Sequence, residues 1–510
     1  MNIQAMLHHV AKLTFIGLAL LPHVGMFGQS PQVNGTAVPK MWDDEAMRTL
    51  EVPLANPIGS PKHASADYYY RIPVRSIYKQ YPVYAPGREP AGYMEWLKKQ
   101  DPVIVWDDAS HKPKLQTEAD WIKAGEITFD APSIYSLENP AGFRVEDVTS
   151  SAWYEKTGMP LTSDGVLPFM HYVIREKGKI ELGSFSCGMC HTRVMPGAVI
   201  VKGAQGNFPF GLALAQEPAF PWFGWQALFD VPWLHPDPLD RLKTLSDEQV
   251  RILIASVPAG VAPRHRGSLF EPMQIPDLIG VRDRHYLDRT GLQQQRSIVD
   301  LMRYAALNQG GDALASFDGF IPADIPKFKT LPEPTNVGGR YSDEQLYALA
   351  LYIYSLKPPP NPNKFDALAA RGQKIFAREG CAACHTPPLY TNNKLTPAEG
   401  FSIPADARAK YEILPISVGT DSDLTLKTRR GTGYYKVPSL KGVWYRNMFG
   451  HSGWCATLED WFNPNRLKDD YMPTGFKPYG EATYAVRGHP FGLDLTPQEK
   501  EDLIAFLKTL

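Results

Sequence analysis

Apolar residues recur at helical spacing in the second half of the chain. From Arg340 to Leu356 (RYSDEQLYALALYIYSL), Leu346, Leu349, Ala350 and Ile353 share one face. Ser342 or Asp343 can cap its start, and Glu344 and Gln345 fall in the first turn. The run Lys357-Pro358-Pro359-Pro360-Asn361-Pro362-Asn363 then ends the helix in a stiff linker. A second helix is predicted over Ala367 to Glu379. The chain closes on LTPQEKEDLIAFLKTL, where Thr496 caps, Pro497 takes the first helical position, and Leu503, Ile504 and Leu507 form the stripe. The N-terminus follows another pattern. Lys12, with His8 and His9, precedes an apolar run from Leu13 to Leu21, and Pro22, Gly25 and Gly28 follow. This is the layout of a secretory signal peptide over residues 1–28. The run falls short of the roughly 20 apolar residues a membrane span needs. The expectation is a periplasmic or secreted mature chain with no transmembrane span.

Composition narrows the class. The chain has 510 residues, with 53 basic against 54 acidic side chains, which argues against a nucleic-acid partner. Hydrophobic residues at 44% and charged residues at 21% describe a globular protein. The 46 prolines predict much ordered loop. Five cysteines are too few for a disulfide scaffold.

Four of those cysteines form two copies of one pattern, Cys187-Gly188-Met189-Cys190-His191 and Cys381-Ala382-Ala383-Cys384-His385. C-x-x-C-H is the attachment signature of c-type haem: both thiols add to the porphyrin vinyl groups, and the adjacent histidine supplies the proximal nitrogen. A redox C-x-x-C pair would need a strand-then-helix pattern that surrounds neither copy. Two C-x-x-C pairs sharing one zinc are typically about 15–20 residues apart, whereas these are about 190 apart. The reading is two covalently attached haems, held by Cys187, Cys190, Cys381 and Cys384, with His191 and His385 on the irons. Cys455 is left over and reads as a small packed thiol.

Motif, intervening region and closing amphipathic helix therefore occur twice, which is the layout of a cytochrome c domain. The predicted fold is mainly α, with two cytochrome c-like haem domains at 151–357 and 364–510. A loop-rich Tyr/Pro-rich extension at 29–150 precedes them. A sixth ligand at each iron decides between electron transfer and an open face. In the second unit the candidates are His451, His489, Met448 and Met472. In the first, His171, His265 and His285 have no diagnostic context, and an open face is the preferred reading.

The C-terminal unit resembles the superfamily of bacterial dihaem cytochrome c peroxidases. The resemblance rests on ARGQKIFAREGCAACHTPP, Val418-Gly419-Thr420-Asp421, Tyr435-Lys436-Val437-Pro438-Ser439-Leu440-Lys441, His451-Ser452-Gly453 with Thr457-Leu458-Glu459, and the closing helix. It covers roughly residues 180–510. In that superfamily the distal ligand before the last helix is commonly Met. Here that stretch is GHPFGLDLT, with His489 and no Met, which resembles the rubber-oxygenase branch and its bis-histidine C-terminal haem. The separation of about 194 residues between the motifs also resembles that branch.

The resemblance implies that His489 ligates the second iron and that this haem passes electrons from a soluble donor protein. The first haem would then take hydrogen peroxide or O2. It implies an acid-base group near the open haem, for which Asp283, His285, Asp288 and Glu271 are candidates. Arg264, Arg266, Arg282 and Arg284 are candidate partners of the haem propionates. Trp444, Tyr445, Tyr286 and Tyr304 could shorten the gap between haems. The competing expectation is a non-enzymatic dihaem electron carrier, with a haem-based sensor behind it.

Overall fold

The computed structural model describes residues 38–55, 63–138, 142–216, 241–242, 244–263, 269–309, 339–428 and 430–510. The expected signal peptide, Arg264, His265 and Arg266 lie outside these residues. Among the described residues no helix is long and apolar enough to cross a membrane.

The elements that position the two motifs follow in chain order. They begin with strand β1 (Gln80–Tyr84), helix α1 (Glu118–Asp130), β2 (Ile134–Tyr135), β3 (Val166–Glu176) and β4 (Lys179–Ser184). The first motif opens in α2 (Cys187–Cys190), followed by the hairpin β5 (Thr192–Met195) and β6 (Val199–Lys202). Then come α3 (Phe210–Ala215), α4 (Asp247–Ala255), α5 (Ile298–Asn308) and α6 (Asp343–Ser355). The second unit contains α7 (Ala367–Arg378), a 3-10 turn at Cys381–Ala383, β7 (Leu395–Pro397), β8 (Tyr434–Lys436), α8 (Leu458–Trp461) and α9 (Pro497–Lys508).

The architecture is mixed, 34% helix and 14% strand, which corrects the mainly α expectation. A four-stranded antiparallel sheet in the order β1-β3-β4-β2 stands in front of the first motif. Tyr81 pairs with Tyr172, and His171 with Gly183. β3 (VLPFMHYVIRE) is buried on both faces over most of its length, so its sequence is a continuous apolar and aromatic run rather than an alternating one. Such a run has neither the strand nor the helix period, and a reading by periodicity passes over it.

The predicted helices are present. α6 begins at the expected Ser342 cap, whose side chain and that of Gln345 form a reciprocal capping box. α9 begins with Thr496 and Pro497, with Glu499 completing the same device. Each closing helix crosses an earlier helix at a glycine. A Cβ on Gly125 of α1 would run into the Ala348 carbonyl of α6, and one on Gly372 of α7 into the Asp502 carbonyl of α9. The missing side chain lets each pair of backbones touch. In the second crossing Arg371 also grips Asp502 with two hydrogen bonds of 2.7 Å. Residues 80–135, inside the stretch 29–150 read from sequence as an extension, thus supply two strands, β1 and β2, and helix α1 to the first unit. Trp121, Ala124 and Phe129 of α1 share a core with Leu346, Leu349 and Ile353 of α6.

The two units meet along residues 273–295. Gln274 N donates to the His451 carbonyl (2.8 Å), Lys436 N to the Arg289 carbonyl (2.9 Å), and Thr432 Oγ1 to the Thr290 carbonyl (2.6 Å). Tyr445 adds a buried hydrogen bond from its hydroxyl to Asp277 Oδ2 (2.6 Å).

Candidate functional site

In the second unit α7 leads directly into the motif. His385 N donates to the Cys381 carbonyl (2.8 Å), which turns the imidazole back over the two cysteines. Its Nδ1 lies 3.2 Å from the Tyr390 carbonyl and 3.1 Å from the Pro438 carbonyl. Carbonyls only accept, so Nδ1 carries the proton and Nε2 keeps the lone pair. Burial pulls the His385 pKa down to about 4, so the ring is neutral, the form that binds metal.

Cys381, Cys384 and His385 line a cavity walled by Phe376, Leu440, Val443, Phe449, Leu458 and Trp461. His489 stands on its far side. The ring centroids of His385 and His489 are 6.3 Å apart, with an interplanar angle of 58°. An imidazole–metal bond is about 2.0–2.1 Å and a ring nitrogen lies about 1.1 Å from its centroid, so two imidazoles on one metal have centroids roughly 6.3 Å apart. His489 is held at φ 44°, in the left-handed region, although it is not a glycine. Its ring packs between Trp461 (5.4 Å) and Phe491 (5.1 Å). Burial, with His385 and Arg466 adding, pulls its pKa down to about 3.

The cavity wall also carries Gln274, Arg289, Lys436 and Arg446. Arg289 is pulled down to about 9 by burial and by Arg446, with Asp288 partly opposing. Lys436 is pulled down to about 7 by burial, then by Arg289 and Arg284. These cations face one another and the cavity, a setting that favours a dianionic guest such as a pair of carboxylates. Apolar walls, two cysteines, facing imidazoles and a cationic rim together fit a c-type haem. Sequence reading missed Arg289, Lys436 and Arg446, because isolated basic residues carry no periodic signal. Of the arginines it favoured, Arg282 is exposed with its guanidinium 5.9 Å from the Tyr354 ring. Arg284 belongs to the cationic group and is pulled down to about 10 by burial and by Arg446.

The first motif has the same local turn and different surroundings. Ser186 Oγ caps α2 by accepting from Met189 N (3.0 Å), and His191 N donates to the Cys187 carbonyl (2.9 Å). The Pro276 carbonyl faces the His191 ring as a backbone hydrogen-bond partner, and among the described residues that ring meets no other ring. Burial pulls its pKa down to about 4. Beside the motif, Lys202 Nζ and Asp130 Oδ1 form an ion pair of 2.6 Å, and Gln309 Nε2 lies 3.4 Å from Cys187 Sγ. Burial pushes Cys187 and Cys381 up to about 12 and Cys190 to about 11, and it raises Cys384. None is the low-pKa thiolate of a redox C-x-x-C pair.

The remaining candidates scatter. His451 lies on the cavity wall, stacked on Tyr435 (4.2 Å), with Nε2 3.2 Å from the Tyr435 hydroxyl. Met472 is 65% exposed. Met448 Sδ sits close to Gly475. His171 is half-buried in β3, and desolvation pulls its pKa down to about 4. His285 is exposed and pairs with Glu412 (2.7 Å), and Asp283 is exposed. Asp288 accepts from the Tyr304 hydroxyl (2.9 Å). Glu271 gathers with Asp421 and Asp423, their ligand atoms within 4.8 Å, and burial pushes it up to about 8. Tyr445 lies at the seam with Trp444 edge-on (5.1 Å), whereas Tyr286 is core packing beside Val52 and Leu395. Cys455 is fully buried beside Trp454 and Phe476.

No family model matches the chain. It is similar to a cytochrome-c peroxidase of Denitromonas iodatirespirans, 27% identical over 169 residues, covering 28% of this chain and 40% of the relative. The chain thus spans well under half the length of that relative. Solved structures with partial similarity include the hydrazine synthase of Kuenenia stuttgartiensis (18% identical, 50% of this chain and 77% of that chain, TM-score 0.28). Others are a MauG-like protein associated with microbial copper homeostasis (18%, 47% and 71%, TM-score 0.26) and a diheme peroxidase of Burkholderia thailandensis (20%, 46% and 71%, TM-score 0.24). None of these comparisons bears on the rubber-oxygenase branch.

Proposed function

We propose that this chain is an exported dihaem c-type oxidoreductase of the peroxidase kind, with one site for storing electrons and one for the oxidant. The observation that carries the reading is the His385–His489 pair, 6.3 Å apart across a cavity walled by Cys381 and Cys384. A haem bound there supplies one-electron redox chemistry. The protein's part is to hold it still. Cys381 and Cys384 would tether it, and the Tyr390 and Pro438 carbonyls fix the His385 tautomer. His489 would supply a second nitrogen, and Arg289, Lys436 and Arg446 would receive its propionates. Two neutral imidazoles on one iron would suit electron transfer.

Cys187, Cys190 and His191 would hold the other haem. That haem would take hydrogen peroxide or O2 at an open face. Electrons would come from a soluble donor protein and cross the seam near Tyr445. The test is the mature protein's spectrum, CO binding after reduction, and turnover of hydrogen peroxide with a reduced small cytochrome. One low-spin haem that ignores CO, one that binds it, and peroxide reduction are expected. Two low-spin haems inert to CO and peroxide in every redox state would instead make the chain an electron carrier.

A further inference from the structure

The loop that carries His489 belongs to no helix or strand, yet it holds this residue at φ 44°. A residue with a Cβ enters that region at a cost, so something must impose it. Arg466 is placed to do so. It is completely buried. Its guanidinium makes four hydrogen bonds, all to main-chain carbonyls. Nε donates to Trp461 (2.8 Å), Nη1 to Val486 (2.6 Å) and Gly488 (3.0 Å), and Nη2 to His489 (2.8 Å). The main chain returns one bond, from Val486 N to the Arg466 carbonyl (2.7 Å). The guanidinium carbon lies 4.5 Å from the Trp461 ring centroid, and that ring flanks the His489 imidazole.

A buried cation is ordinarily matched by an anion. Among the described residues no carboxylate forms an ion pair with Arg466. Burial accordingly lowers its pKa. An arrangement that carries this burden needs a return. The planar fork of Arg offers several donors at fixed angles, and here it spans carbonyls of Val486, Gly488 and His489 together. A lysine could reach one of them as a point charge and would leave the others unpaired.

We propose that Arg466 is the positioning residue for His489: its fork locks residues 486–489 so that the imidazole stands 6.3 Å from that of His385. The inference rests on the reading of His489 as the second axial ligand. It predicts that the fork, and not merely the charge or the volume, sustains ligation.

The experiment uses the haem-loaded full chain. Arg466→Lys keeps the charge, Arg466→Met keeps the approximate volume, and His489→Ala is the reference. Spin state in the oxidised protein and CO binding in the reduced protein are read for each. His489→Ala is expected to lose the low-spin signature of one haem and to bind CO there. Both Arg466 variants are expected to lose part or all of the same signature, and added imidazole should restore it. An unchanged spectrum in His489→Ala overturns the axial-ligand reading itself. A clear loss in His489→Ala with a wild-type spectrum in Arg466→Lys overturns the positioning role alone. If His489→Ala accumulates with both haems and neither Arg466 variant does, Arg466 serves the fold and the inference also fails.

Discussion

The two C-x-x-C-H units share a helix crossing and differ in what separates it from the motif. In the second unit α7 ends at Arg378 and the first motif cysteine is Cys381. In the first unit α1 ends at Asp130 and the motif begins at Cys187, with strands β2, β3 and β4 of the sheet lying between them. Both crossings still close at a glycine, Gly125 against Ala348 and Gly372 against Asp502. The crossing is therefore the common frame, and the intervening segment sets the environment of each site. Where it is short, His385 is anchored by two carbonyls and faced by His489. Where it is long, a Lys202–Asp130 ion pair stands beside the motif, and among the described residues no ring faces His191.

The largest effect should come from breaking one crossing and sparing the other. Gly372→Val would drive a branched side chain into the Asp502 carbonyl and Phe506. Overpacking a tight core typically costs about 1–3 kcal/mol, and here the obstacle is backbone that cannot rotate away. The expected result is loss of the second haem from the purified protein, read by mass. Gly125→Val should do the same to the first unit. If either variant retains both haems and the wild-type melting temperature, the crossings are not the frame of the units.

Next comes the contrast between the two axial sites. His489→Ala should convert one low-spin iron to a high-spin, CO-binding one. His191→Ala should disturb the other haem and leave that low-spin signal in place. Spectra of the two variants, oxidised and reduced, check this. If both lose the same signal, the assignment of His489 to the second site is wrong.

The contrast also explains what the sequence could show. The crossing helices α6, α7 and α9 were legible because period, cap and stop coincide in each, as in Ser342 with Gln345, or Thr496 with Pro497 and Glu499. The first crossing partner was not. α1 lies 56 residues before Cys187 and inside a Tyr/Pro-rich stretch, so nothing local ties it to the motif. The sheet was hidden for the reason given by β3: both faces are buried, so its pattern has no period. At the site, Cys and His announce themselves by spacing. Arg289, Lys436, Arg446 and Arg466 act from separate segments gathered only by tertiary structure, and each alone reads as a surface cation.

The smallest effect belongs to the cationic rim of the second site. Lys436 lies on that cavity wall, and burial with Arg289 and Arg284 lowers its pKa. With Asp288 only partly opposing, that value is about 7. Propionates received by the rim would stabilise the ammonium and move it above 7. A positive charge near the iron favours the reduced state, because reduction removes one positive charge from the centre. The second haem's midpoint potential should therefore be higher while Lys436 is charged. It should fall as pH rises through that raised value, when the ammonium loses its proton. Lys436→Met removes the charge at every pH, so its potential should be lower at pH 6 by roughly 20–60 mV, at most a tenfold shift in a one-electron equilibrium. The variant should also lack the fall that the wild type shows at higher pH. Redox titrations from pH 6 to 10 separate the outcomes. Superimposable curves for the two proteins would remove Lys436 from the rim, while a wild-type fall centred at or below pH 7 would leave the ammonium without its carboxylate partners.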